Sequence, residues 1–430
     1  MLSDSNEDWF DWVVERARQS RQLQGKNIRL QHRPEQAPAV HKTKESEVTT
    51  KNPMYRRTLL KGVAAIAALG TLPALGYEKN QPTLELVATS PTHLWNAVTL
   101  TSSGRMFAAM PRWPGFTSTP SVIEIRPDGE LRPYPGRGWN DWREGKDATR
   151  AFVCVNTAHC FDGTYLWVVD TGSLPLSPTS VQRGAQKLVQ IDTRNDQVVS
   201  TIVFDDLLPA GASLNDLRIG GGYIYLTESG LGSIVVVDLN TGQKLHRLAN
   251  DPTTKADPKR PKIGRGGKWL TLPDGTPQVT NADPIELSPD NQWLYYQPAS
   301  GPLYRVPTRY LIDSSVSEQT LSSKVEYVYD TPTLGGTAMD SSGNIFLAES
   351  ARPRISVLAP DGSVRTLVED DRLWGGDALF ITKDRYLYIP LSQVPDLQFL
   401  QGPNGRDMVQ RPFKIFRVKL PERYGGPITG

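Results

Sequence analysis

The stretch LNDLRIGGGYIYLTE, Leu214–Glu228, holds a short apolar run, a glycine turn and a second strand of alternating aromatic and branched residues. Alternation on either side of a tight turn is the pattern of a β-hairpin with one buried face. A hairpin cannot cover that face by itself, so neighbours of the same kind are required. The sequence supplies them as DPIELSPDNQWLYYQ (Asp283–Gln297), GTAMDSSGNIFLAE (Gly336–Glu349) and DALFITKDRYLYIP (Asp377–Pro390). Looser copies are AVTLTSSGRMFAAMP (Ala97–Pro111) and FVCVNTAHCFDGTYLWVVD (Phe152–Asp170), which makes six units in all.

Each hairpin is followed by outer-strand material with its own turn, as in KLVQI and QVVSTIVF, SIVVVDL and QKLHRL, or RISVLA and SVRTLV. The fourth unit is stretched, and a helical insert is expected between PLYRVP (Pro302–Pro307) and KVEYVYD (Lys324–Asp330). The sixth has PFKIFRVKL (Pro412–Leu420) and no return strand, while TLELVA (Thr83–Ala88) precedes the first unit without a local partner. A closed ring in which that first strand completes the last sheet uses both facts and leaves no long open edge. The expectation is an all-β chain folded as a six-bladed β-propeller, its N-terminal strand closing the last blade. A two-sheet sandwich does not accommodate six units so alike.

Hydrophobic residues make up 38% and charged residues 22% of the 430, the balance of a soluble globular protein. Residues 1–76 contain 12 of the 48 basic and 8 of the 46 acidic residues, so the remainder carries 36 against 38. The putting together of a nucleic-acid surface needs a basic excess that this part lacks. Cys154 and Cys160 are the only cysteines, and they can pair only if the chain doubles back between them.

The segment YRRTLLKGVAAIAALGTLPALG (Tyr55–Gly76) joins Arg56-Arg57 to an apolar stretch shorter than the about 20 residues that span a bilayer. It reads as a twin-arginine export leader, whose arginine pair is recognised by the export machinery. The alternative is a buried helix after a chance arginine pair. Met54 is placed as a conventional start would be, and residues 1–53 read as a helical or disordered extension outside the fold. The division expected is 1–53 extension, 54–76 signal segment and 77–430 propeller. The mature protein is expected in the periplasm or outside the cell, with no membrane span.

In a propeller the innermost strands all start at one rim of the channel. Asn96, Asn215 with Asp216, Asp283 and Asp377 are therefore expected to converge, with Asn156 or His159 contributed by the irregular second unit. Carboxylate and amide oxygens suit calcium or another hard divalent ion. The same residue types also cap turns. Asp170, Glu228 and Glu349 end the next strand of three units, either as rim carboxylates or as hydrogen-bond partners within blades. Trp113, Trp139, Trp142 and Phe116 suit stacking on an aromatic or amine ligand, or packing between blades. KADPKRPKIGRGGK (Lys255–Lys268) has six basic residues and one acid, as a solvated loop or as a lid that steers anions. His93 is the histidine placed to reach the rim as a proton carrier.

Taken together, PRWPG (Pro111–Gly115), LWVVDTG (Leu166–Gly172), SLNDLRI with YIYLTESG (Ser213–Gly230), ADPIELSPDNQWLYYQPASGPLYRVPT (Ala282–Thr308) and FKIFRVKL (Phe413–Leu420) resemble the Yellow and major royal jelly protein family, in its bacterial branch. The resemblance implies a six-bladed propeller, secretion and a link to dopachrome conversion, with small amines bound in the channel of some insect relatives. More distantly, the layout is similar to regucalcin-like gluconolactonases, which hold a divalent metal at the channel mouth. This chain departs from the family at Asp283-Pro284, where Asp-Gly is usual, and at Gly335-Gly336, where an acid is usual. An acidic ring would be incomplete.

On this resemblance a tautomerase-like proton transfer on an amine, catechol or similar molecule needs one acid and one base, and Asp216 with Asp283 are the expected pair. Two other classes stand beside it: a non-catalytic binding or scaffold protein, and a metal-dependent lactonase with Asn215, Asp216 and Asp283 as ligands. The sequence itself requires no cofactor.

Overall fold

Each hairpin of the repeat becomes the inner half of a four-stranded antiparallel sheet, and six such sheets form the blades. The computed structural model describes residues 76–77, 81–175 and 182–428. The extension 1–53 and the twin-arginine segment through residue 75, with Arg56 and Arg57, lie outside the described residues. From the first blade to the sixth the inner strands are Ala97–Leu100, Val155–His159, Leu214–Gly220, Ala282–Leu287, Leu334–Met339 and Phe380–Ile381. A bridge between Ala97 and Ala378 joins the first blade to the last, and the ring closes there.

The N-terminal strand, Leu84–Ser90, runs antiparallel to Phe413–Lys419, with Leu84 opposite Val418 and Ser90 opposite Phe413. It is the outer strand of the sixth blade, as its lack of a local partner requires. Gly76–Tyr77 adds a short parallel rung to the edge of the fifth blade, opposite Arg365 and Thr366, which nothing in the sequence pattern announces. The insert in the fourth blade is two short helices, Thr308–Leu311 and Glu318–Ser322, the second capped by Ser317 accepting from the Thr320 amide.

The core sits in the seams between blades. Phe346, Val357 and Ile389 meet Leu84, Phe416 and Val418 in the seam between blades five and six. Val98 and Ala108 meet Phe413 and Ile415 between blades six and one. Side chains of this size contribute about 1.5–3 kcal/mol each when fully buried, so the closing strand is held by its apolar face as well as by its ladder. Cys154 and Cys160 are free and buried. They flank the extended strand Val155–His159, so the chain does not double back as a disulfide between them requires.

Candidate functional site

In blades two to five the ladder between the two inner strands slips at its start. The slips fall between Val155 and Thr157, Leu214 and Leu217, Ala282 and Ile285, and Leu334 and Gly336. Such a bulge takes residues out of the ladder and re-aims their side chains. The positions released include Asn156, Asn215, Asp283 and Gly335. With Asn96 and Asp377 from the first and sixth blades, they line one chamber of about 260 Å³ at the channel mouth, one residue per blade. Gly335 and Gly336 interrupt the polar ring for a steric reason: a Cβ at Gly335 would lie 2.0 Å from the Gly376 carbonyl oxygen, and one at Gly336 2.7 Å from Ala378 Cα.

The amides of the ring hold one another. Asn96 Nδ2 donates to Asn156 Oδ1 at 3.3 Å, and Asn156 Nδ2 donates to Asn215 Oδ1 at 2.8 Å. Asn215 in turn hydrogen-bonds the Asp283 carboxyl. Ser392 Oγ donates to Asp377 Oδ2 at 2.8 Å. Burial pushes Asp283 up to about 7, against the pull of Lys262, and the Asp216 charge adds to the rise. Burial likewise pushes Asp377 up to about 8, opposed by the Ser392 hydrogen bond and reinforced by Asp283. Two acids with near-neutral titration therefore share one chamber.

The basic loop between the third and fourth blades is a strap over this mouth. Arg265 pairs with Asp396 at 2.5 Å and lies over the Trp374 ring, 4.4 Å from its centroid. Thr271 donates from its amide to Leu400 O and accepts from the Gly402 amide, both at 3.0 Å. Fastened in this way to the loop of the sixth blade, the strap delivers Lys262 into the chamber, where its Nζ donates to Thr280 Oγ1 at 3.2 Å. Burial pushes the Lys262 pKa down, while Asp283 and Asp377 pull it up.

Asp216 does not line that chamber. Its Oδ1 lies 2.9 Å from His159 Nε2 and its Oδ2 lies 3.0 Å from Arg218 Nη1. Arg218 also grips Glu286 with two hydrogen bonds of 2.9 and 2.7 Å, and Thr337 Oγ1 donates to Glu286 at 2.7 Å. This network crosses blades two to five and plugs the channel. On its far side lies a second cavity of about 400 Å³, which among the described residues shares no lining residue with the mouth chamber. Burial alone would raise Asp216, but Arg218 and His159 outweigh it and hold the carboxyl at about 2. The acid–base pairing of Asp216 with Asp283 expected from the sequence does not survive this geometry, because Asp216 is ionised and committed to the plug.

The same placement decides against a calcium-type centre. Asn215 and Asp283 face the chamber, but Asp216 is turned from it, and Lys262 already stands within electrostatic reach of Asp283 and Asp377. Among the described residues no three His, Cys, Asp or Glu side chains gather to hold a metal. Asn215, Asp216 and Asp283 therefore do not fit a hard divalent ion, which takes six or more oxygens.

The remaining candidates fall mostly within blades. Asp170 accepts from the Val153 and Cys154 amides at 2.9 and 3.0 Å. Glu228 accepts from Ser213, Gly230 and Leu231 amides, and Glu349 pairs with Arg354 at 2.7 Å. Trp139 packs against Phe152 with the rings tilted by 44° in the seam of blades one and two, and Phe116 meets Phe413. Trp142 packs with Arg112 beneath the second blade's entry. Trp113 alone of the four lines the mouth, against Phe399 at 5.8 Å between ring centroids. His93 Nδ1 is 2.8 Å from Thr92 Oγ1 and lines neither cavity. The sequence reading named His159 and Asp216 as rim residues but missed Arg218, Glu286 and the network they form, although His159, Arg218 and Glu286 each follow Asn156, Asn215 and Asp283 by three positions.

A family model described as Major royal jelly protein matches residues 163–393, more than half of the chain. The chain belongs to the major royal jelly protein family. The matched span runs from the second blade, through the strap and all of the plug except His159, into the sixth. Solved structures similar to this family member include regucalcin, a calcium-binding protein from Agrobacterium tumefaciens, at 14% identity over 80% of this chain and 98% of that one, TM-score 0.46. A luciferin-regenerating enzyme matches at 11% identity over 81% and 98%, TM-score 0.49. A gluconolactonase from Xanthomonas campestris matches at 13% identity over 79% and 94%, TM-score 0.46. No curated protein matches the chain.

Proposed function

We propose that this member of the major royal jelly protein family is exported, and that it binds a small polar or aromatic molecule in the mouth chamber and moves a proton on it. The observation that carries the reading is the convergence of two buried carboxyl groups, Asp283 and Asp377, in one chamber, where burial raises both toward the neutral range. Acid–base groups work best when their pKa lies near the working pH. Asp283 is the base and Asp377 the acid, and Trp113 supplies a flat wall for a ring. The reaction class is tautomerisation, in which one proton leaves the substrate and another is returned, so no oxidant, reductant or metal enters the balance.

Dopachrome decay is the assay. The native protein should exceed the spontaneous rate, with a bell-shaped profile whose maximum lies between about 7 and about 8. Lower pH protonates Asp283 and higher pH ionises Asp377, and the two limbs belong to the coupled pair. Asp283→Asn and Asp377→Asn should each lose about 100-fold or more, with no fall in melting temperature, because each removes a buried ionisable group. Equal rates in native protein and both variants reject the pair.

Export rests on Arg56-Arg57 and the short apolar stretch that follows. Replacing both arginines by lysine should leave the full chain in the cytoplasmic fraction of a host with a twin-arginine pathway. Unchanged recovery from the periplasm would remove that part of the reading.

A further inference from the structure

Four cations of the strap are half-buried: Lys255, Arg260, Lys262 and Arg265. Arg260 and Arg265 are paired with Asp330 and Asp396, and Lys255 donates to the Leu231 carbonyl. Lys262 differs. Its ammonium stands in the mouth chamber with a single hydrogen bond, to the Thr280 hydroxyl, and no carboxylate within ion-pairing distance among the described residues. An ammonium has three donors, so two are unspent.

The chamber holds other unspent groups. Trp113 Nε1, a donor, is buried without a partner among the described residues, and so are two acceptors, Asn96 Oδ1 and Gln278 Oε1. All three residues line the same wall space as Lys262. Asn96 is 6% exposed. A buried polar atom left without a partner is costly, so a small rotation of these side chains toward a polar guest in the chamber is favoured. The donors ask for an anionic or strongly accepting oxygen, and the amide oxygens ask for a hydroxyl or N–H at the other end.

We infer that the mouth chamber takes a small molecule with an anionic oxygen, a carboxylate or its equivalent, and a hydrogen-bond donor on a flat ring, with Lys262 as the counter-ion. This rests on the mouth being a ligand site. An amine is disfavoured because the cationic place beside Asp283 and Asp377 is already filled by the protein's own chain. Asp377 is held toward its neutral form by burial, and among the described residues no carboxylate comes within ion-pairing distance of the ammonium, which leaves room for an anion beside it.

Three probes of one shape separate the possibilities: 4-hydroxyphenylacetate, tyramine and 4-methylphenol, each titrated calorimetrically into the full chain at neutral pH. The anion should bind tighter than tyramine by about tenfold or more, the ratio that a charge-assisted hydrogen bond supplies. Lys262→Met should lose that preference and Lys262→Arg should keep most of it, with both variants melting cooperatively. Tyramine binding as tightly as the anion, or the anion binding Lys262→Met as tightly as the native chain, overturns the inference. If tyramine alone binds, and Asp283→Asn weakens it, the mouth remains a ligand site and only the charge assignment falls. If none of the three binds, both fall.

Discussion

Arg218→Met is expected to lower the unfolding free energy by about 3–5 kcal/mol, the cost of leaving a buried charge without its partner. Arg218 is 9% exposed at its side chain, and its partners Asp216 and Glu286 are 11% and 5% exposed. Removing the guanidinium strands two carboxylates in the channel and also breaks the hydrogen bond to Leu217 O. Denaturant unfolding measures the effect. The companion variant Arg218→Met with Asp216→Asn and Glu286→Gln should recover much of the loss, since a network without charge has nothing to compensate. A single substitution that moves stability by less than about 0.5 kcal/mol, the range of ordinary surface changes, would mean that water reaches the plug and screens it.

Lys187→Met is expected to cost a similar amount, about 3–5 kcal/mol, in a different place. Lys187 and Asp170 are both 0% exposed and 2.9 Å apart. The Lys187 ammonium also donates to the carbonyls of Ala148, Ala151 and Ala185 at 2.9, 2.9 and 3.1 Å. Asp170 uses its remaining capacity on the Val153, Cys154 and Gly172 amides. The pair thus ties the connector from blade one to the first strands of blade two. Hydrogen exchange should show residues 148–155 losing protection first in Lys187→Met, while the sixth blade keeps its own. Uniform loss over all blades would instead make this pair part of the global unfolding unit.

The hairpin repeat was legible because its signal is local. Period-two alternation and turn residues lie within about 15 residues of each other, and the unpaired TLELVA with the short sixth unit fixed the closure. The ring residues were legible too, as the first polar side chains of successive inner strands. Which of two adjacent residues faces the chamber was not. Asn215 and Asp216 leave the ladder together at a bulge, and alternation cannot assign a face where the register slips. Lys262 belongs to a loop whose position depends on Arg265 reaching Asp396, 131 residues away, and no local pattern encodes that contact. The plug carried a readable mark in blades two to four, where His159, Arg218 and Glu286 each stand three positions after a ring residue.

Among the described residues the hub presents two separate pockets rather than one continuous bore. A guest above the His159–Asp216–Arg218–Glu286 crossing lies beneath a strap whose fastening, the Arg265–Asp396 clasp with the Thr271 rungs, is separate from the groups that line the chamber. Residence time is then a property of the fastening as much as of the chamber walls, so tight retention and rapid exchange are adjustable without altering any group that touches the guest.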